Sequence, residues 1–414
     1  MKRSAGCAIA LALAPLSASA VYLNAGGVGQ ALVYPYYTVN GGNVTLLSVV
    51  NTTDDGKAIK VRFLEGYDGR DVFDFNLYLS PRDVWVGQVL ADANGNATIF
   101  TNDNSCTVPA LPASQAGAVA FTTSHFDGAS AQGSDAGPID ASRTREGHIE
   151  LVEMGTVTNA TFGTLTAISH VNGVPAGCNR LMAAWNAGGY WSIDPKTDIG
   201  PPTGGLAGDA AILDIPNGTV QAYVADAIGG FYAPGTVGSH TNASDLAPNI
   251  ASGTSTVATV FAGDVAQTLT YQRSIDAVSA IFMTASIKNE YWSSAGIAAA
   301  SEWIVTYPTK RFYVDPHYAA GSVSAPFDAI FSSGASNSNV YLRYYDREET
   351  PLEPCAVIHP CHAPTPVPGM KYEAQVVTFN QNALGVLSYL PTPPSAVLAS
   401  NLDPFNINTG ADYG

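Results

Sequence analysis

Charge is what this chain has least of. Asp, Glu, Lys and Arg make up 13% of its 414 residues, about half the usual share. Disordered chains pair high charge with few aromatics, whereas this one carries 20 Tyr, 15 Phe and 5 Trp and therefore folds. Cations are the scarcer sign, 18 Lys and Arg against 34 Asp and Glu. Such a surface repels phosphate backbones and anionic lipid, which argues against nucleic acid as a partner and against docking on an anionic membrane.

Several catalytic signatures are missing as well. A nucleophile elbow would read Gly-x-Ser-x-Gly; Gly133-Ser134-Asp135-Ala136-Gly137 comes nearest and puts the serine off-centre, within a loop. There is no phosphate loop, dinucleotide fingerprint or His-Glu-x-x-His zinc helix. His148, Glu150 and Glu153 lie on one strand-like stretch and read as exposed strand-face charges, with His148 and Glu150 on the same face. Asp92-x-Asn94-Gly95-Asn96 starts like a calcium loop, but its glycine falls early and no closing Glu follows, so a hairpin turn is expected. The carboxylates of Asp127–Asp140 are numerous enough to hold calcium, with no ligand set assigned and no other cofactor expected.

Cysteine is also sparse, five in all. Lys2 and Arg3, the small and apolar run Ala8–Leu16 and the small-x-small site Ala18-Ser19-Ala20 form the three parts of a secretory signal. The apolar run falls short of the ~20 residues that span a bilayer. Cleavage before Val21 would remove Cys7, Lys2 and Arg3, leaving 394 residues, four cysteines and 16 basic against 34 acidic residues, a net of −18. An even cysteine count in an exported chain reads as disulfides, with three pairings open. Cys106–Cys178 and Cys355–Cys361 are favoured: the second pair is close in sequence and flanked by Pro354 and Pro360, and the first follows by elimination. Zinc or haem at Cys355-x3-His359-x-Cys361-His362 is disfavoured, because adjacent Cys361 and His362 reach one ion awkwardly and the haem spacing is absent.

What the chain does have is period-two patterning. Val44–Val50 is an apolar run; Ile59, Val61 and Phe63 alternate with Lys60 and Arg62; Phe73, Phe75, Leu77 and Leu79 alternate with Asp74, Asn76 and Tyr78. Short strands with a turn signal about every ten residues predict antiparallel Ig-like or β-sandwich lobes. Residues 124–146 read as a long surface loop, 176–185 as one short helix turn or two, 198–205 as a linker or crossover and 233–256 as loop. Asn217-Gly218 predicts a type I′ hairpin. One amphipathic helix is expected near 274–290, capped by Ser274, with Asp276 in its first turn and Lys288 in its last. Strand-like runs follow at 303–307, 311–314, 340–345 and 374–379. The expected organisation is a signal peptide at 1–20, an N-terminal β-sandwich-like lobe at 21–200, a mainly-β lobe carrying the helix at 201–390 and a Pro-containing polar tail at 391–414. The tail has no apolar anchor, so no transmembrane segment is expected.

Tyr190-Trp191 and Tyr291-Trp292 are candidate ligand-contact aromatics, against the commoner role of filling a core. Glycosidase chemistry would need two carboxylates about 5 or about 6.5–9.5 Å apart; Glu150, Glu302 and Asp315 are candidates that nothing in the sequence brings together. No catalytic or metal residue is assigned.

Two stretches resemble a family of exported proteobacterial proteins labelled cell surface proteins. One runs from Tyr34-Pro-Tyr-Tyr-Thr-Val39 through Lys60-Val-Arg-Phe-Leu-Glu65 to Leu79-Ser-Pro-Arg-Asp-Val-Trp85. The other runs from Asn289-Glu-Tyr291 through Trp303-Ile-Val-Thr-Tyr307 to Asp315. The resemblance implies a surface location and supplies no catalytic residues. The expectation is a non-enzymatic exported cell-surface or extracellular-matrix protein, found at the surface, in the medium or in the periplasm. It would bind envelope or matrix components or assemble with itself. A secreted hydrolase or carbohydrate-active enzyme and a glycan-binding adhesin are the alternatives.

Overall fold

The computed structural model describes residues 20–292, 300–319, 323, 325–341, 345, 366–380, 387–388, 397–402 and 405–408. The signal-like N-terminus, Cys7, the Cys355–Cys361 pair and parts of the Pro-containing tail lie outside the described residues.

The alternating stretches become strands, and the chain is mainly antiparallel β as the patterning predicts. In chain order they are β1 (Tyr22–Leu23), β2 (Ala31–Thr38), β3 (Asn43–Asn51), β4 (Gly56–Glu65), β5 (Asp71–Leu79), β6 (Val84–Ala91), β7 (Ala97–Phe100), β8 (Cys106–Val108), β9 (Val119–Ala120) and β10 (Glu146–Val157). Then come β11 (His170–Val171), β12 (Val174–Pro175), β13 (Ile199–Gly200), β14 (Leu206–Asp214), β15 (Thr219–Val224) and β16 (Asp226–Gly229). The first sheet has the order β1-β16-β2-β10-β4-β5-β8, and the second β15-β14-β3-β6-β7-β9.

The two sheets stack as a sandwich. Leu32, Tyr34, Ile59, Val61, Phe63, Phe75, Leu77, Ile149 and Leu151 of the first meet Leu47, Val49, Trp85, Val89 and Ile99 of the second in one buried cluster. Strand pairing crosses position 200. The stretch from β13 to β14 passes from the first sheet to the second, and β14 pairs with β3 along its whole length, Leu206 opposite Asn51 and Asp214 opposite Asn43. The 198–205 segment is thus a crossover between sheets.

A second layer covers the other face of the first sheet. At one end, Ala31, Val33, Val152 and Ile228 pack under Phe231, Ile250, Phe312 and α4 (Ser274–Phe282). At the other end, Ala58, Tyr78, Met154 and Val157 pack under α1 (Thr164–Ile168), α2 (Cys178–Trp185) and α3 (Tyr190–Ile193). The disulfide Cys106–Cys178 ties α2 to β8. Closing a loop of that length stabilises by about 4 kcal/mol on the chain-entropy model.

Some local expectations need correcting. The 274–290 helix ends at Phe282, so Lys288 lies outside it, and Ser274 is its first helical residue rather than its cap. Residues 311–314 form a helical turn, α5, not a strand. A strand would send Lys310 and Arg311 to opposite faces, whereas both reach buried acceptors here. The Asn217-Gly218 hairpin exists, but the pair Asp214–Thr219 encloses four residues instead of the two of a type I′ turn. The Asp214 carboxylate accepts from both nitrogens of Asn217 and stabilises the longer loop.

The C-terminal part adds a hairpin of β17 (Val257–Ala262) and β18 (Val265–Thr270), and pairs β19 (Ser301–Thr306) with a strand at Ala374–Asn380. Ala374, Val376 and Leu398 pack on Tyr36 and Ile212 at the margin of the sandwich.

Candidate functional site

Between the two apolar ends, the outer face of the first sheet carries charge. Lys60, Arg62, Asp74, Asn76, His148 and Glu150 point there from β4, β5 and β10, and all are buried or nearly so. The reading of His148, Glu150 and Glu153 as exposed strand-face charges is overturned, since all three are fully buried. Segments from 240–250, 308–318 and 373 close over the face and supply its partners. Arg62 donates to the carbonyls of Leu246 and Pro248 and pairs with Asp71. Lys60 donates to the carbonyls of Asn242 and Ala243 at 2.6 and 2.8 Å, and burial lowers its pKa to about 8. Glu153, on the opposite face of β10, pairs with Lys57 at 2.8 Å and accepts from the Thr203 and Gly204 amides.

Two clusters dominate the layer. In the first, Arg143 forks onto Glu65 at 2.9 and 3.0 Å, reaches Asp68 at 2.7 Å and bonds Asp135. Beside it, Arg70 forks onto Asp315 at 2.7 and 2.8 Å and donates to the carbonyls of His125 and Gly133. The loop expected on the surface at 124–146 is therefore partly interior: it carries Asp135 and Arg143 inward, and its Asp140 caps the turn that aims Arg143. Burial raises Glu65, but Arg143 outweighs it and holds the carboxyl below its ordinary value, whereas burial wins at Asp68 and pushes it well up.

In the second cluster, Arg311 bonds Glu150 at 2.6 Å and Glu373 at 3.4 Å. His148 sits 3.9 Å from Glu150 and 3.7 Å from Glu373 through Nε2. Burial opposes ionisation at Glu150, yet the Arg311 guanidinium and His148 bring its pKa down to about 2. Burial raises Glu373 well above its usual range and lowers His148. Gly69, at φ 75°, lies against the Glu373 carboxylate, and a side chain there would collide with it. Lys310, lowered by burial to about 7, is ringed by the carbonyls of Ser336, Met370 and Tyr372 and the Ser338 hydroxyl.

None of this is open chemistry. Glu65, Asp68, Glu150, Asp315 and Glu373 are fully buried and Asp135 nearly so, all engaged with cations or backbone. Glu150, Glu302 and Asp315 have separate partners: Arg311, the amides of Val397 and Leu398, and Arg70. A groove of about 380 Å³ between Tyr22, Gln30, Thr203, Tyr232 and Thr236 has no Asp, Glu, His, Lys or Arg in its wall.

Ser80, His170 and Asp83, which no sequence motif marks, meet at the β5–β6 turn. The Ser80 hydroxyl lies 3.1 Å from His170 Nδ1, and Asp83 lies 3.6 Å from the same nitrogen. A relay needs the two on opposite ring nitrogens. Here Asp83 accepts from the Ser80 amide and hydroxyl and closes the β5–β6 turn.

The candidate aromatics divide. Trp191 is core, stacked on Tyr78 and beside His240, with its indole donating to the Thr197 carbonyl. Tyr190 stacks on Phe162, which is 45% exposed. Tyr291 is buried against Phe379, and Trp292 is 49% exposed. Asp92 accepts from the amides of Asn94 and Asn96 in the β6–β7 turn. In the Asp127–Asp140 loop, Asp127 accepts from the Ala129 amide and Thr123 hydroxyl, and Asp135 belongs to Arg143. Among the described residues no three His, Cys, Asp or Glu side chains converge as metal ligands.

The outer face of the second sheet is the reverse of the first. Along β3 the residues pointing away from the core are Val44, Leu46, Ser48 and Val50, each half-buried. On β14 they are Ala207, Asp209, Ala211 and Leu213, and on β6 Val84, Val86 and Gln88. On the edge strand β15 they are Val220, Ala222 and Val224. Val84, Val86, Val220 and Val224 are 41–63% exposed. An antiparallel sheet with one wet face is ordinarily polar on that face; this one is aliphatic across four strands. No family model, curated protein or solved structure matches the chain.

Proposed function

We propose that this is a non-enzymatic exported protein of the cell surface or extracellular matrix, acting by binding or assembly. The observation that carries the reading is the open aliphatic face of β15, β14, β3 and β6, a contiguous apolar surface of the kind that marks interaction sites. The sealed state of the carboxylate clusters supports it from the other side, because buried charges tied to Arg143, Arg70 and Arg311 have no route to a substrate. The signal-like N-terminus and the Cys106–Cys178 bond fit an oxidising compartment outside the cytoplasm. The test joins two assays on the purified oxidised chain: a glycan and ester turnover screen, and self-association together with retention on washed envelopes. Association or retention that is lost when Val86 and Val224 become Lys, with no turnover, is expected. Turnover abolished by Ser80→Ala, Glu150→Gln or Glu302→Gln would sink the reading.

A further inference from the structure

We infer that the open face of β15, β14, β3 and β6 docks onto the same face of a second copy of this chain, a deduction that rests on the binding reading above. The chemistry of the face selects its partner. Its outward positions carry no aromatic ring, which a sugar would need for stacking, and no cation, which an anionic lipid or phosphate would need. They carry one charge, Asp209. A chain of net charge −16 repels its own copy wherever charges meet. Contact between copies therefore belongs where charge is nearly absent, and Val44, Leu46, Val86, Leu213, Val220 and Val224 form such a place.

Geometry agrees with the chemistry. Two aliphatic sheet faces stack ~10 Å apart with side chains interdigitating, as the two sheets already do inside this molecule. A two-fold axis through the face makes the contact self-complementary and closed. Three steps between strands and about three two-residue repeats along them give a patch roughly 14 Å by 20 Å, about 300 Å². That is well under half the ~800 Å² per partner of a standard stable interface. The dimer is accordingly weak and concentration-dependent, and salt, by screening the surrounding like charge, tightens it.

Sedimentation of the oxidised full-length mature chain across a wide concentration range, at low and high salt, tests this. The wild type is expected to dimerise reversibly and more tightly at high salt. Val86→Lys with Val224→Lys weakens the dimer at least about tenfold by placing a cation in the apolar contact. Asp209→Asn tightens it several-fold by removing the like-charge pair. All three positions are exposed, so an unchanged thermal melt confirms the fold. A wild type monomeric at every concentration and salt overturns the inference, as does a dimer indifferent to all three substitutions. If the monomer is retained on washed envelopes and the lysine variants are not, the face serves a different partner: the second-copy inference fails while the binding reading stands. Turnover in the substrate screen would instead remove the binding reading itself.

Discussion

The outer faces of the two sheets exchange the roles expected of them. The first sheet presents Lys60, Arg62, Asp74, His148 and Glu150, and it is covered. The second presents Val44, Leu46, Val86, Leu213 and Val220, and it is open. Burying charge costs several kcal/mol per ion unless geometry repays it. Here the repayment is visible as bidentate forks, Arg143 on Glu65 and Arg70 on Asp315, that join residues 78 and 245 positions apart in sequence. Such a layer specifies which segment closes over the sheet, because any other segment would leave a charge unpaired. The open face has no such requirement: it needs only another apolar surface of matching shape.

Substitutions can break this contrast on either side. The largest expected effect is Arg143→Met, which leaves Glu65, Asp68 and Asp135 without their shared cation. A loss of about 3–5 kcal/mol is expected, read as a shifted urea midpoint. Next is His240, buried between the Tyr78 hydroxyl and the Pro195 carbonyl and lowered to about 4 by burial. Its folded pKa lies below the unfolded ~6.5, so the unfolded chain takes up the proton first as pH falls. The stability difference between wild type and His240→Gln should shrink by up to about 3 kcal/mol from pH 7 to 4, measured by parallel melts.

Glu373→Gln should do the opposite of damage. A raised folded carboxyl pKa means stability that is present below the usual carboxylate range and lost as pH rises toward the folded value. Glutamine removes that loss, so the variant gains on the wild type as pH rises from the carboxylate range to neutrality, read as a widening gap between parallel melts. A variant that instead loses stability as pH rises would show that the Glu373 charge is needed by Arg311. The smallest expected effect lies on the other sheet: Val86→Lys should change stability by no more than about 0.5 kcal/mol, read as an unshifted urea midpoint.

Much of this was legible in the sequence. Ile59, Val61 and Phe63 announce the sandwich core, and the strand alternation is correct nearly everywhere it was read. What periodicity leaves open is the fate of the polar face. Lys60, Arg62 and Asp74 look the same in sequence whether water or residues 240–250 cover them, since the covering segment lies about 180 positions away. One signal was available: eight of the eighteen residues from Lys57 to Asp74 are charged in a chain that is 13% charged overall. Clustering of that kind, of both signs and on adjacent strands, fits a network better than a solvated face. The Arg311 turn was missed because Phe312, Tyr313 and Val314 favour strands, and tertiary pairing overrides that preference.

The exchange of roles is tested most directly by carboxyl-specific labelling of the native oxidised protein, read residue by residue by mass spectrometry. Asp209, on the open face, should be modified quickly, while Glu65, Asp74 and Glu150 stay unmodified until the chain is denatured. Labelling of Asp74 and Glu150 at the rate of Asp209 in the folded state would contradict it.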